Sequence, residues 1–249
     1  MRIAKHLPNA LTIGNLLAGM MGLHFTLAQQ DLYAALWCIL LAALLDVFDG
    51  ALARLLKVNS PIGRDLDSLA DGVSFGVLPA FIMFQILHLS LGALPATGLG
   101  LGRFLPDMMG YQRLIPFALA VCAVLRLAKF NNDLGQEKYF KGLPTPAMGL
   151  AIVGFAFQAS TATEPLGSSW HTKPVTLIVA SLLFSFLMVS NLPLLSFKLG
   201  LKRTWPYWAA MGLPLLLLPW VQGLVFPVII LFYVLVSQVY FATSGKNSK

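Results

Sequence analysis

Residues Asp46 to Gly76 read DVFDGALARLLKVNSPIGRDLDSLADGVSFG and hold five of the chain's ten acidic residues. Long apolar stretches flank this segment on both sides. Carboxylates are costly next to hydrocarbon, at roughly +2.5–3.5 kcal/mol for an aspartate at the centre of a bilayer and less near its surface. The concentration of half of the acidic residues in a segment between apolar stretches therefore indicates that these residues have a function.

The rest of the chain predicts an integral membrane protein. Of its 249 residues, 57% are hydrophobic and only 11% are charged, which is about half the charged fraction of a soluble domain. Apolar runs of about 18 or more residues can cross a bilayer as helices. We expect an all-α polytopic transmembrane helical bundle with about eight spans, at roughly 10–29, 33–56, 61–93, 113–129, 146–163, 174–194, 204–220 and 222–242.

The spans divide into a main body and a C-terminal addition. We expect residues 1–200 to form one membrane domain, and residues 201–249 to add a transmembrane hairpin with a short tail to the same bundle. The third span is too long for a simple crossing, so we expect it to bend or break near Pro79. Gly19 and Gly22 suggest a close helix contact in the first span.

Basic residues predict the orientation. With both termini in the cytoplasm, the cytoplasmic segments contain 14 of the 17 basic residues, all except Arg103, Arg113 and Lys173. This bias follows the positive-inside rule and supports an even number of spans. The net charge of +7 is then explained by topology, so we predict no nucleic-acid partner. The acidic segment faces the cytoplasm of a multi-pass protein of the cell membrane.

Four aspartates of the segment form two stripes. Asp46 and Asp49 lie three residues apart at the end of the second helix, while Asp67 and Asp71 lie four residues apart in the third. We expect the third helix to begin with Ser60 as its N-cap and Pro61 as its first residue. Asp65 points away and is interpreted as a solvated residue. Ser68 and Ser74 lie nearby, and we expect each to bond back to its own helix.

Packed carboxylates need compensating cations. Hard divalent ions with oxygen ligands, Mg²⁺ or Mn²⁺, are the chemically natural choice. Two such ions about 3.5–4 Å apart are suited to holding phosphates. The acidic stripes therefore predict a two-metal site that binds a phosphorylated ligand.

The spacing Asp-x2-Asp-Gly-x2-Ala-Arg-x8-Gly-x3-Asp-x3-Asp resembles the signature of the CDP-alcohol phosphotransferase family at all eight positions, which are Asp46, Asp49, Gly50, Ala53, Arg54, Gly63, Asp67 and Asp71. The resemblance implies that the four aspartates bind two divalent metals and that Asp71 also takes the proton from the attacking hydroxyl. It implies that Gly50, Gly63 and Ala53 let the CDP-lipid approach the helix backbone, with Arg54 nearby. It also implies that the protein is a homodimer and contacts membrane lipids.

Other segments resemble the phosphatidylserine synthase branch of that family. They are LPNALTIGNLLAG (7–19), DSLADGVSFGVLPA (67–80), RLAKFNND (126–133), FKGLPTPA (140–147) and SNLPLLSFK (190–198). Lys129 departs from the arginine common in this branch and loses a planar bidentate donor. The resemblance implies CDP-diacylglycerol and L-serine as substrates.

Several further polar residues are candidates for substrate binding. Arg126, Lys141 and Asn131 could bind the carboxylate of serine or the lipid phosphate, although basic residues at a cytoplasmic helix end are also topology determinants. Asn15 could reach the nucleotide, or it could bond a neighbouring helix.

Two alternatives remain at this stage. An enzyme of the same family could use glycerol 3-phosphate or inositol phosphate, although those acceptors favour a denser basic pocket. A cation-coupled transporter could also use intramembrane carboxylates. However, the stripes lie near one face of the membrane, and no repeated half supports alternating access.

Overall fold

A computed structural model describes residues 7–56, 61–92, 111–132, 140–195 and 222–244, together with residue 214. The described part of the chain is a bundle of helices with one short pair of strands. Apart from residue 214, the predicted span at 204–220 lies outside the described residues. Both termini, Ser60 and about half of the predicted C-terminal addition lie outside them as well.

Within the described residues, eight α-helices lie in the predicted apolar runs, two of them in the third run. In chain order they are α1 (Leu7–His24), α2 (Leu32–Leu56), α3 (Pro61–Asp71), α4 (Leu78–Ser90), α5 (Phe117–Asn132), α6 (Thr145–Ser160), α7 (Pro174–Val189) and α8 (Val225–Ser244). A π-helical turn, Phe25–Gln29, extends α1, and a 3₁₀ turn, Gln222–Leu224, precedes α8. The third helix begins at Pro61, as predicted.

The third predicted span is continuous, although its middle is irregular. A π-helical segment, Gly72–Val77, joins α3 to α4, and the Leu78 amide donates to the carbonyl of Val73, five residues back. Pro79 follows directly and has no amide hydrogen to donate, so the wider turn absorbs the disturbance that a proline causes. The span therefore does not break near Pro79, and a π-helical segment precedes the proline instead. The other half of the expectation, a bend, stays a prediction.

In the part of the chain that the structure describes, four helical segments are long and apolar enough to cross a membrane, namely Leu7–Gln29, Leu32–Leu56, Ile62–Ser90 and Val225–Thr243. Helices α6 and α7 are apolar but shorter. The chain is therefore a helical membrane protein, while the count of about eight spans stays a prediction. One feature was not predicted for an all-α fold: β1 (Phe140–Lys141) pairs antiparallel with β2 (Pro193–Leu194).

Helix α6 lies at the centre of the bundle, where it contacts α2, α4 and α8. Its buried face includes Gly149, and a Cβ atom there would lie 2.9 Å from the ring of Phe75. Helix α1 packs on α2 and on the π-helical segment through the two predicted glycines. A Cβ atom on Gly19 would lie 2.9 Å from Ser74 Cα, and one on Gly22 would lie 3.0 Å from Cys38 Cβ. The predicted close contact of the first span is confirmed.

Candidate active site

Three aspartates meet between the second half of α2 and the facing part of α3. Asp46, Asp49 and Asp67 each contribute a carboxylate oxygen, and the three oxygens lie within 4.8 Å of one another. Asp49 is buried, while Asp46 and Asp67 are half-buried. The helical spacing read from the sequence therefore brings carboxylates of two helices to one point.

This arrangement suits a hard divalent cation. Oxygen ligands of one Mg²⁺, at about 2.0–2.1 Å from the ion, lie about 3–4 Å from each other, so a small movement would let all three carboxylates share an ion. Oδ1 of Asp67 is buried and has no hydrogen-bond donor among the described residues. A buried carboxylate oxygen without a donor is costly, and a cation would remove that cost.

Asp71 lies beside this group and has a different partner. The side-chain amide of Asn15 in α1 donates to Asp71 Oδ1 across 3.2 Å, and both residues are buried. Asn15 therefore bonds a neighbouring helix, as one of the two interpretations expected. Its own Oδ1 is buried and has no donor within the described ranges, so one acceptor of this side chain is unused.

Helix α1 is fixed against this corner by its backbone. The Ser74 hydroxyl donates to the carbonyl of Asn15 across 2.9 Å, and Gly19 leaves the space that Ser74 occupies. The expectation that Ser74 bonds back to its own helix is wrong, because the missing side chain of Gly19 lets the α1 backbone come within reach. Ser68 does bond back, to the carbonyl of Arg64 at 3.1 Å.

The remaining signature residues lie on the same two helices. Gly50, Ala53 and Gly63 are half-buried, whereas Arg54 is exposed. The Arg54 guanidinium extends back over Gly50, where an added Cβ atom would lie 3.5 Å from Arg54 Nη1. Asp65 is exposed, as predicted.

Arg126 reaches the site from α5. Its Nη1 lies 3.5 Å from the buried hydroxyl of Thr145 at the start of α6, and it interacts electrostatically with Asp71 and Tyr233. Its Nε is buried and has no acceptor among the residues that are described. A buried guanidinium with an unused donor beside a carboxylate group is able to bind an anionic group of a ligand.

Asn131 and Lys141 occupy different surroundings from Arg126. The side-chain amide of Asn131 donates to Ser68 Oγ across 2.9 Å and ties α5 to α3. Lys141 is exposed in β1, opposite Pro193. Asn131 thus has a structural contact next to the acidic group, and Lys141 lies on the strand pair.

Helix α8 holds the second strand through three side chains. The Tyr233 hydroxyl donates to the carbonyl of Leu195 across 2.7 Å, and the Leu195 amide donates to Ser237 Oγ across 3.2 Å. Gln238 donates to the carbonyl of Pro193 across 3.0 Å. Since β2 pairs with β1, these bonds connect the last helix to the strand that carries Lys141.

Three residues at the site were missed by reasoning from sequence. Thr12 donates to Asp49, Thr145 contacts Arg126, and Tyr233 interacts with Arg126 while bonding the second strand. A signal existed for Thr12, which lies one turn before Asn15 on the same face of α1. Thr145 lies within the segment FKGLPTPA (140–147), whose resemblance to the family was a further signal. Nothing in the local sequence distinguishes Tyr233 from ordinary residues of apolar helices.

Comparison with known proteins agrees with this geometry. Residues 5–235 match the family model described as CDP-alcohol phosphatidyltransferase. A protein of Bacillus subtilis named CDP-diacylglycerol–serine O-phosphatidyltransferase is 31% identical over 194 residues, which cover 78% of this chain and 92% of that protein.

Two further relatives bear the same name. The protein of Mycobacterium leprae is 30% identical over 84% of this chain, and that of Saccharomyces cerevisiae is 35% identical over 54% of it. The matched regions cover 64% and 46% of those two proteins, respectively. The chain thus spans less than two thirds of the length of these two proteins, whereas it spans nearly the whole Bacillus protein.

Proposed function

This chain belongs to the CDP-alcohol phosphatidyltransferase family, and we propose that it transfers the phosphatidyl group of CDP-diacylglycerol to the hydroxyl of L-serine, giving phosphatidylserine and CMP. The observation that carries the proposal is the group formed by Asp46, Asp49 and Asp67, with Asp71 beside it. The names of the bacterial and yeast relatives support serine as the acceptor.

Two divalent cations, Mg²⁺ or Mn²⁺, belong to this proposal. The four aspartates would hold them, with the three clustered carboxylates as the core of the site and Asp71 at its edge. When bound, the cations would polarise the diphosphate and neutralise the charge on the departing CMP. Gly50, Ala53 and Gly63 would leave room for the CDP-lipid, while Arg54 and Asn15 would contact it.

The protein side chains then have to supply one general base and to align the serine hydroxyl with the phosphorus that it attacks. Asp71 accepts the proton of the serine hydroxyl while the hydroxyl oxygen forms a bond to the phosphorus next to the diacylglycerol. The bond from that phosphorus to the CMP oxygen breaks, and CMP leaves with the bonding electron pair. The amide of Asn15 orients the Asp71 carboxylate for this step.

We assign acceptor binding to the other side of the site. Arg126 is the main candidate for the carboxylate of serine, because its Nε is buried without a partner in the described structure and its guanidinium interacts electrostatically with Asp71. We propose that Lys141, on the strand pair, and Asn131, at the end of α5, assist Arg126 in binding the acceptor or its phosphate.

The proposal includes a location. We place the protein in the cell membrane with about eight spans, both termini in the cytoplasm and the active site at the cytoplasmic face. Residues 1–200 would form the catalytic membrane domain and residues 201–249 a C-terminal hairpin and tail of the same bundle. Family membership supports a homodimer.

A comparison of acceptors tests the function. Purified protein with CDP-diacylglycerol and Mn²⁺ should release CMP with L-serine, and much less with glycerol 3-phosphate or inositol phosphate. The exposed Asp65 provides a matched control, because Asp65→Asn removes an acidic group of the same segment that lies outside the cluster. It should retain turnover that Asp46→Asn loses.

Two results would contradict the proposal in different ways. CMP release with another alcohol but not with serine would keep the family reaction and change the acceptor. No CMP release with any alcohol, together with cation flux into liposomes that contain the protein, would favour the transporter alternative.

A further inference from the structure

Thr12 connects the first helix to the acidic group. It lies in α1 with 4% of its surface exposed, and its hydroxyl lies 2.7 Å from Asp49 Oδ2 and 3.1 Å from the carbonyl of Pro8. A hydroxyl has one proton to donate, and the shorter contact is the one to the carboxylate. Hydrogen bonds to ionised acceptors are the stronger kind.

This bond restricts the orientation of Asp49. The terminal torsion of an aspartate is broad, so a carboxylate without a partner turns easily. The hydrogen bond from Thr12 to Oδ2 limits that rotation. Asp49 is the buried member of the three carboxylates, so its orientation depends on contacts within the protein.

The position of Thr12 also explains why α1 is needed at the site. Thr12 and Asn15 lie three residues apart, on one face of the helix. One donates to Asp49 on α2 and the other to Asp71 on α3. A helix without an acidic residue thus contacts carboxylates on both of the helices that carry them.

We propose that Thr12 is a positioning residue that orients the Asp49 carboxylate for a divalent cation. The inference rests on the proposed function, because it assumes that the three carboxylates bind a metal. Partners that hold a ligating carboxylate by hydrogen bonding typically change metal affinity about 10- to 100-fold when they are removed. Loss of the Thr12 hydroxyl should therefore weaken metal binding.

Binding of Mn²⁺ to the purified full-length protein tests this, measured by electron paramagnetic resonance of the free ion. Thr12→Val keeps the shape of the side chain and removes the hydroxyl donor. If the valine variant does not fold, Thr12→Ala serves as the test in its place. Both should bind Mn²⁺ about 10-fold or more weakly, and Thr12→Ser should restore the affinity. Saturating Mn²⁺ should recover the turnover of Thr12→Val, since the ion compensates for the lost orientation.

Thr26 provides the matched control. It is also a buried threonine in the first helical segment, but its hydroxyl donates to the carbonyl of Gly22 across 2.8 Å. It lies fourteen residues further along, about 21 Å at 1.5 Å per residue. Thr26→Val should therefore leave Mn²⁺ affinity unchanged, even if its melting temperature falls.

The outcomes separate the two hypotheses. If Thr12→Val and Thr12→Ala bind Mn²⁺ like the unchanged protein while Asp49→Asn does not bind it, the role of Thr12 is wrong and the metal site stands. If Asp49→Asn binds as tightly as the unchanged protein, the metal site of the proposed function fails, and the role of Thr12 fails with it.

Discussion

The two sides of the candidate site are built in different ways. The acidic side comes from one helical hairpin of 26 residues, Asp46 to Asp71, so its carboxylates are near each other in sequence as well as in space. The proposed acceptor side comes from α5, the start of α6, the strand pair and α8, which are separated by up to about a hundred residues. A local site leaves a periodic pattern in the sequence, whereas a site built from distant segments leaves none.

The largest expected effects come from the acidic side. Asp71→Asn should lower turnover by about 10²–10⁴-fold, the usual contribution of a general base, while CDP-lipid binding is largely retained. Asp46→Asn should lose the metal and much of the CDP-lipid binding as well. Turnover with saturating serine, together with calorimetric titration of the CDP-lipid, distinguishes the two. If both variants keep equal turnover, the assignment of Asp71 as the base is wrong.

A smaller and more selective effect is expected on the acceptor side. Arg126→Lys keeps the charge but loses the fork of donors, and Arg126→Met loses both. We expect the KM for serine to rise about 10-fold or more in the methionine variant, because a charge-assisted hydrogen bond contributes about 1.5–3 kcal/mol. The KM for CDP-diacylglycerol should change little, which steady-state kinetics with each substrate varied will reveal. Equal increases in both KM values would contradict the division into two sides.

Helix packing next to the acidic side should be sensitive to one methyl group. Gly19→Ala places a Cβ atom 2.9 Å from Ser74 Cα, in contact with the π-helical backbone, and overpacking of this kind costs about 1–3 kcal/mol. Gly14→Ala is the control, because its Cβ atom would meet only the flexible end of Leu45 at 3.2 Å. Thermal melts of the two variants in the same detergent should show a lower melting temperature for Gly19→Ala alone.

The smallest effect should come from the last helix. Tyr233→Phe removes the bond to the Leu195 carbonyl, and one such bond contributes about 0.5–1.5 kcal/mol. We expect a modest loss of stability and a rise of a few-fold (on the order of 3-fold) in the KM for serine, with Mn²⁺ affinity unchanged. If Mn²⁺ affinity falls as well, α8 supports the whole site and the two sides are not independent.

The sequence alone predicted most of the acidic side. The period of an α-helix places Asp46 with Asp49 and Asp67 with Asp71, and the start of α3 at Pro61 followed from proline's suitability for a first helical position. The same reasoning missed the π-helical segment, because a wider turn results from how Pro79 and the surrounding helices are accommodated.

Composition and periodicity therefore determined that this chain is a helical membrane protein with an acidic helical hairpin, for which phosphate binding is the predicted role. These properties depend on near neighbours in the chain and on its average polarity. Only the tertiary structure decided that Thr12 and Asn15 donate to two of the four carboxylates. It also decided that Arg126 contacts Thr145 and interacts electrostatically with Asp71 and Tyr233. Such contacts depend on how separate helices pack, and the order of residues within any one helix does not encode that packing.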